Sequence, residues 1–156
     1  MTIQSLLPDT MQDHFKLYMT LMFNQRQTGI KRKQLEMMAV TVSALNKCNY
    51  CVAHHSVPLG MLLKNEKLLA ALQNYDINIL EDMLSPRDFA LIRLAEKITR
   101  RPYDSSEEDI NNLRECGFND EQILHVVLVI NYFNFVNRNV LALGVELEPD
   151  YQKACK

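Results

Sequence analysis

Apolar residues recur through most of this chain at the three- and four-residue spacing that places them on one face of an α-helix. The spacing predicts a first helix that is capped by Asp9 or Thr10 and stops at Gly29, and a second helix over residues 31–45. The β-branched run at residues 40–42 lies among helix formers without flanking turn residues, so it is interpreted as helix. The pattern favours the all-α class.

Capping residues, prolines and terminal glycines mark the later helices. One helix is predicted to begin near Tyr50 and to bend or end at Pro58, and another to begin at Ser85 with Pro86. Two more are predicted to begin at Ser105 with Glu108, ending at Gly117, and at Asn119 with Gln122, ending at Gly144. Residues 66–73 form a further short helix, and residues 75–84 are left without an assigned element.

Glycine and proline are scarce, with four and five copies, whereas methionine occurs eight times and leucine is abundant. This composition leaves few turns between helices. A chain of 156 residues is long enough to bury a core of its own, and no repeat or flexible linker divides it. We therefore predict one domain over residues 1–156, folded as an all-α bundle of about six to seven helices.

The charge pattern excludes some partners. The formal net charge is −2, and basic residues are interspersed with acidic ones, so there is no basic surface for nucleic acid. The apolar run at residues 126–130 is too short to cross a bilayer, and the first residues lack the pattern of a secretory signal. We predict no membrane partner and a cytoplasmic location, where a C-x2-C pair is more often catalytic than structural.

The reactive side chains are concentrated in residues 47–55, KCNYCVAHH, which contain two thiols and two imidazoles. Cys48 and Cys51 can close a disulfide across one helical turn and lower each other's thiol pKa. If Cys51 lies in the first turn of a helix, unpaired amide groups stabilise its thiolate, and His55 stands one turn further on the same face. The motif predicts redox chemistry assisted by a base.

Three other interpretations of the cysteine pair remain open. Free cysteines are often buried as small apolar residues. The pair can also bind zinc with a histidine, although the chain has no second ligand cluster, and His54 and His55 lie about 100° apart on a helix. A thioredoxin-type site would need a strand before the motif, and the pattern predicts none there.

Residues outside the motif carry weaker predictions. His14 is predicted to be a surface residue, His125 to be solvated, and Cys116 and Cys155 to be free thiols. The segment YFNFVNRN, residues 132–139, is too polar for a plain core and too aromatic for a plain surface. It is either core with hydrogen-bonded asparagines, or a wall of the thiol pocket, or a subunit contact.

The spacing of Glu36, Cys48, Cys51 and His55 is E-x11-C-x2-C-x3-H. It resembles the signature of the alkylhydroperoxidase D-like (AhpD-like) branch of the carboxymuconolactone decarboxylase family. Further segments resemble the peroxidase-related subgroup of that family, so that the resemblance covers nearly the whole chain. They are LSPR at 84–87, GF at 117–118, YFNFVNR at 132–138 and LGVEL at 143–147.

The resemblance implies an all-helical fold, a homo-oligomer with a trimer or hexamer favoured over a dimer, and thiol-dependent reduction of hydroperoxides in antioxidant defence, without a metal or cofactor. It also makes Glu36, on its own merely a solvated acid, part of a proton relay with His55. The best-known peroxidases of the family have a histidine where this chain has Tyr50. Tyrosine is a poor base at neutral pH, so proton handling falls more heavily on His55 and Glu36.

We therefore hypothesise that Cys51 attacks the peroxide as a thiolate and that Cys48 resolves the resulting sulfenic acid to a disulfide, which a separate dithiol donor reduces. The two cysteine roles could be reversed. One straight helix would hold Glu36 and Cys48 about 18 Å apart. The relay therefore requires that the second helix ends before Cys48 and that the next helix folds back, or that a neighbouring subunit supplies a partner.

Two other classes of function are compatible with the same sequence. A protein-disulfide reductase or redox relay would use the cysteines without peroxide. A non-catalytic helical oligomer would not use them at all. The branch of the family that decarboxylates a lactone lacks the paired cysteines, so the C-x2-C pair argues against that reaction.

Overall fold

A computed structural model of the chain describes residues 2–24 and 28–151. Eight α-helices lie wholly within these residues, and no strand does. They are α1 (Pro8–Phe23), α2 (Arg32–Leu45), α3 (Asn49–Leu63), α4 (Glu66–Asn74), α5 (Ile77–Met83), α6 (Pro86–Arg100), α7 (Glu107–Glu115) and α8 (Asp120–Ala142). Short 3-10 turns cover Thr2–Leu6 and Pro102–Asp104. The predicted all-α class is confirmed.

Helix α2 is the centre of the bundle. Residues 34–43 are all buried, and α2 packs against α1, α3, α4, α6 and α8. One apolar core joins α2 to α6 and α8, and a second joins it to α3 and α4. Burying a large apolar side chain contributes about 1.5–3 kcal/mol, so this helix anchors the fold. Its interior also contains charge, because Glu36 is completely buried.

A tight turn reverses the chain after α2. Asn46 caps the helix, Lys47 adopts a left-handed φ of 57°, and Cys48 is the N-cap of α3. The N–H of Cys48 donates to the carbonyl of Ser43 at 2.9 Å, which fixes the turn. Helix α3 therefore folds back along α2, as the relay requires.

Several local predictions need correction. Helix α3 does not end at Pro58, one of the two predicted outcomes there, but continues to Leu63. The proline removes one intrahelical bond, and the packed flanks keep the helix intact. The segment left unassigned contains α5, which Asp76 caps by accepting from the N–H of Ile79. Helix α1 begins after Leu7 rather than Asp9 or Thr10. The capping box of α7 is Ser106 with Asp109, one residue later than predicted.

Neither histidine outside the motif is freely solvated. His125 is buried, and it bonds the Thr28 hydroxyl at 2.6 Å and the Leu21 carbonyl at 2.7 Å. His14 is partly buried against the Tyr132 hydroxyl at 2.7 Å. The prediction for His125 was wrong, because its partners come from elements distant in sequence. Cys116 is a free thiol, whereas Cys155 lies outside the described residues.

None of the helices in the described ranges combines the length and the hydropathy of a membrane span.

Candidate active site

The two motif cysteines point their sulfurs at each other. Their Sγ atoms lie 3.0 Å apart, and both thiols are free. A disulfide has an S–S distance of about 2.05 Å, so closure needs only a small movement. Cys48 has 0% of its surface exposed and Cys51 has 3%, so an oxidant reaches them only when neighbouring side chains move.

The two thiols differ in acidity. The pKa of Cys48 is lowered to about 7, because the Cys51 thiol and the Cys51 backbone N–H both donate to its sulfur, against an opposing effect of burial. The N-cap position supplies that backbone donor. The pKa of Cys51 is raised, first because its S–H bonds Cys48 and then by burial. The backbone donor at the start of α3 therefore faces the Cys48 sulfur, and the benefit of the first helical turn to the Cys51 thiolate stays a prediction.

His55 and Glu36 are brought together by the reversal of the chain. The Nδ1–H of His55 donates to Glu36 Oε2 at 2.7 Å. The carboxylate therefore places the proton on Nδ1 and leaves Nε2 as the basic nitrogen. His55 lies one turn after Cys51 on α3, and its ring stands edge-on to Phe133 at a centroid distance of 4.7 Å. No hydrogen bond joins His55 to either sulfur in the described part of the chain.

The second oxygen of Glu36 is held by Arg32, a residue that the sequence reasoning missed. Arg32 Nε donates to Oε1 at 2.8 Å, and Nη2 donates to the same oxygen. The guanidinium is itself positioned, because Nη1 donates to the Met22 carbonyl at 3.0 Å and the group lies 3.9 Å over the Phe23 ring. The spacing of Arg32 and Glu36, four residues on one helix, is a signal that could have revealed this pair.

Glu36 is held ionised in the interior. Burial raises the pKa of its carboxyl group, but the hydrogen bond and charge of His55, followed by the charge and hydrogen bond of Arg32, outweigh burial and lower it. An unpaired buried carboxylate would instead take up a proton. The site therefore contains a fixed negative charge that orients the imidazole of His55 on the helix that also carries Cys51.

Tyr50 and His54 lie on the neighbouring face of α3. The hydroxyl of Tyr50 donates to Glu148 Oε1 at 3.1 Å, and His54 Nε2 lies 3.1 Å from Glu148 Oε2. The Tyr50 and His54 rings are 4.4 Å apart. These contacts attach the segment after α8 to the first turns of the cysteine helix, and the sequence reasoning missed Glu148.

The open interpretations can now be compared with the geometry. The motif follows a helix, so the thioredoxin arrangement of strand and helix does not occur. Within residues 2–24 and 28–151, no three His, Cys, Asp or Glu side chains are grouped to hold a metal ion. The cysteines are buried, but their thiols contact each other and have shifted pKa values, which is unusual for cysteines that only fill apolar space.

A family model agrees with this site. The model of the carboxymuconolactone decarboxylase family matches residues 12–58, which include Glu36, Cys48, Cys51 and His55. A curated relative, the uncharacterized protein YdfG of Bacillus subtilis (strain 168), is 26% identical over 129 residues, covering 83% of this chain and 86% of that protein.

Solved structures show the same fold. An uncharacterized peroxidase-related protein from Silicibacter sp. TM1040 is 29% identical with a TM-score of 0.84, over 92% of this chain and 73% of that chain. The alkylhydroperoxidase AhpD core of a peroxidase-related protein from Ralstonia eutropha JMP134 is 26% identical with a TM-score of 0.84, over 96% and 76%. The debrominase Bmp8 shares the fold at 18% identity and a TM-score of 0.78, over 97% and 77%.

Residues 12–58 match the carboxymuconolactone decarboxylase family model, and the described part of the chain has the all-helical fold of the AhpD-like proteins. The resemblance predicted from the signature is confirmed. Because the fold also supports a debrominase, the fold alone does not select one reaction. The reaction has to be argued from the thiols and the groups around them.

Proposed function

We propose that this protein is a thiol peroxidase that reduces hydroperoxides through Cys48 and Cys51 and serves in antioxidant defence. The observation that carries the proposal is the 3.0 Å distance between two free thiols, one of which has its pKa lowered to about 7. Such a pair is partly ionised at neutral pH and is ready to close a disulfide.

The reaction begins with the loss of one proton from the pair. His55 Nε2 is the basic nitrogen of an imidazole fixed by Glu36, and His55 is the base that takes this proton. The remaining proton is shared between two sulfurs 3.0 Å apart, so the negative charge can move from Cys48 to Cys51 without further loss of a proton.

Cys51 then attacks the terminal oxygen of the hydroperoxide. The S–O bond forms as the O–O bond breaks, so Cys51 becomes a sulfenic acid and the substrate leaves as an alkoxide, which takes the proton held by His55 and becomes an alcohol. Cys51 is the better placed of the two sulfurs because it has some exposed surface, 3% against 0% for Cys48. Its thiolate is less stable than that of Cys48 and correspondingly more nucleophilic.

Cys48 completes the cycle by attacking the sulfenic sulfur. The Cys48–Cys51 disulfide forms, and the hydroxyl leaves with the Cys48 proton as water. In total two thiols and one hydroperoxide give one disulfide, one alcohol and one water. A separate dithiol donor returns the pair to the reduced state by thiol–disulfide exchange.

The resemblance also leads us to propose a homo-oligomer. Large apolar side chains are exposed on α1 and α8, including Phe15, Phe23, Leu128 and Phe135. Exposed apolar groups on adjacent helices are typical of surfaces that a partner covers. Light scattering coupled to size exclusion tests this proposal, and a monomer at micromolar concentration would contradict it.

A protein-disulfide reductase would use the same thiols, so the experiment compares both activities. We expect the wild-type protein, with dithiothreitol as the dithiol donor, to consume hydrogen peroxide catalytically and the Cys51→Ser variant to lose this activity. Cys116→Ser is the matched control, since that thiol lies outside the motif. Rapid reduction of a model disulfide without peroxide consumption would favour the reductase.

A further inference from the structure

A network of side-chain amides joins the turn between α2 and α3 to helix α8. Asn46 Nδ2 donates to Asn137 Oδ1 at 3.0 Å and to Asn134 Oδ1 at 3.0 Å. Asn137 Nδ2 in turn donates to Ser43 Oγ at 3.1 Å. Both asparagines of α8 are buried, and they lie in the segment 132–139, for which the sequence left core, pocket wall and subunit contact open. The network therefore binds both ends of the chain reversal to one helix.

The orientation of each amide follows from its other partners. The Ser43 hydroxyl donates its hydrogen to a carbonyl of the preceding helical turn at 2.7 Å, so its oxygen can only accept from Asn137. Asn134 Oδ1 also accepts from Arg138 Nη1 at 2.8 Å, and a guanidinium group has no acceptor. Both Oδ1 atoms therefore face Asn46, which donates one N–H to each of them. An aspartate of the same shape would present oxygens to both.

The position of Cys48 depends on this turn more than on helix α3. Cys48 is the N-cap of α3 and has non-helical backbone angles, φ −88° and ψ 85°, whereas Cys51 lies inside the helix. The N–H of Cys48 donates to the Ser43 carbonyl at 2.9 Å. Lys47, between Asn46 and Cys48, has a left-handed φ of 57°, a conformation that persists only where the surrounding structure holds it. Contacts on both sides of Lys47 therefore fix where the first sulfur lies.

We propose that Asn46 is a positioning residue of the thiol pair. Its two N–H groups tie the turn to α8 and so hold Cys48 Sγ at 3.0 Å from Cys51 Sγ, the arrangement from which a disulfide closes. Thiols held in this way have a high effective concentration towards each other, which stabilises their disulfide. The use of this positioning in turnover rests on the peroxidase proposed above, whereas its effect on the dithiol–disulfide equilibrium does not.

The test measures that equilibrium without peroxide, in glutathione buffers at pH 7, or in dithiothreitol buffers if glutathione oxidises the pair completely. One molecule of oxidised glutathione converts the reduced pair to the Cys48–Cys51 disulfide and leaves as two molecules of reduced glutathione. Alkylation and peptide mass spectrometry give the oxidised fraction. We expect Asn46→Ala to lower the equilibrium constant by about 10-fold, which raises the redox potential of the pair by about 30 mV.

Two further variants separate positioning from general stability. A loss of stability that is equal in both redox states leaves the potential unchanged. Asn74→Ala is the matched control, since Asn74 also lies at the end of a helix, but its Nδ2 donates at 2.9 Å to a carbonyl of its own helix. It should change the equilibrium constant less than about twofold. Asn46→Asp keeps the size of the side chain and replaces both donors with oxygens, so it should shift the potential at least as far as Asn46→Ala.

A folded Asn46→Ala protein with the wild-type potential would overturn the inference, and so would an equal shift in Asn74→Ala. If Asn46→Ala does not fold, Ser43→Ala removes the acceptor of Asn137 at the other end of the turn. It should also raise the potential, and an unchanged value there would overturn the inference. The peroxidase proposal fails separately, if the wild-type pair forms its disulfide in the redox buffer but the protein does not consume hydrogen peroxide.

Discussion

His55 Nδ1 lies 2.7 Å from Glu36 Oε2, although 19 residues separate them in the chain. The left-handed turn at Lys47 makes the contact, because it folds α3 back along α2. Arg32 holds the other carboxylate oxygen, so the buried charge has a partner on each side. The arrangement gives the cysteine helix an imidazole with a defined basic nitrogen.

Removing the charge of Glu36 should destabilise the protein. In Glu36→Gln, both Arg32 and His55 lose a buried charged partner, and breaking a buried pair costs about 3–5 kcal/mol. Urea unfolding at pH 7 measures this loss. Arg101→Gln removes an exposed pair with Asp104 and should change stability by about 0.5 kcal/mol or less. Equal effects of the two substitutions would contradict the role given to the buried pair.

The lowered pKa of Glu36 predicts that the protein loses stability at acidic pH. Because the pKa of Glu36 is lowered in the folded state, its contribution is complete above the ordinary glutamate pKa of about 4.3 and is lost as the pH falls through the lower folded-state pKa. Unfolding free energies from pH 7 down to pH 3 measure this loss. The decline should be shallower in Glu36→Gln, and parallel curves would show that other groups cause it.

The sequence predicted those parts of the fold that local signals determine. Ser85 and Asn119 cap α6 and α8 as expected, since capping residues act within their own helix. The capping residue of α5, Asp76, is equally local, but the surrounding polar segment concealed it. The burial of His125 could not be predicted, because its partners Thr28 and Leu21 are 97 and 104 residues away.

In the candidate site, too, local contacts could be predicted from the sequence and long-range contacts could not. The spacing of Cys48 and Cys51 on a helix predicted their approach, whereas the contact of Glu36 with His55 followed from the resemblance and from a condition on the fold. Their relative acidity was left open, because the N-cap position of Cys48 was not assigned.

Two segments that carried the family resemblance touch each other. Arg87 Nη1 donates to the carbonyls of Cys116 and Gly117 at 2.8 and 2.7 Å, and its guanidinium lies 3.8 Å over the Phe118 ring. Gly117 has a φ of +81°, and an added Cβ would meet Arg87 Nη1 at 2.9 Å. These segments therefore stabilise the end of α7 rather than contribute chemistry.

Gly117→Ala should cost more stability than Gly144→Ala. Gly144 has a φ of +61°, and a Cβ added there would have open space around it. Alanine at this position therefore costs only the strain of a left-handed backbone, about 1–2 kcal/mol. At Gly117 the displacement of Arg87 adds to that cost. Thermal unfolding of both variants measures the difference. Equal losses would show that the Arg87 contacts contribute nothing to stability.

Burial of the sulfurs predicts a dependence on substrate size. With 0% and 3% of the two cysteines exposed, a peroxide reaches Cys51 only during local opening, and a larger molecule needs a larger opening. We expect hydrogen peroxide to oxidise the reduced protein faster than cumene hydroperoxide does, measured under pseudo-first-order conditions. A faster reaction with the bulky substrate would indicate a preformed pocket that the closed structure lacks.

The most direct test is a single turnover of the fully reduced protein with one equivalent of cumene hydroperoxide, followed by alkylation and peptide mass spectrometry. The account predicts one Cys48–Cys51 disulfide for each cumyl alcohol released in the wild type. In Cys48→Ser it predicts a trapped sulfenic acid on Cys51. Unreacted peroxide, or oxidation confined to Cys116 and Cys155 while Cys48 and Cys51 stay reduced, would contradict the proposed peroxidase.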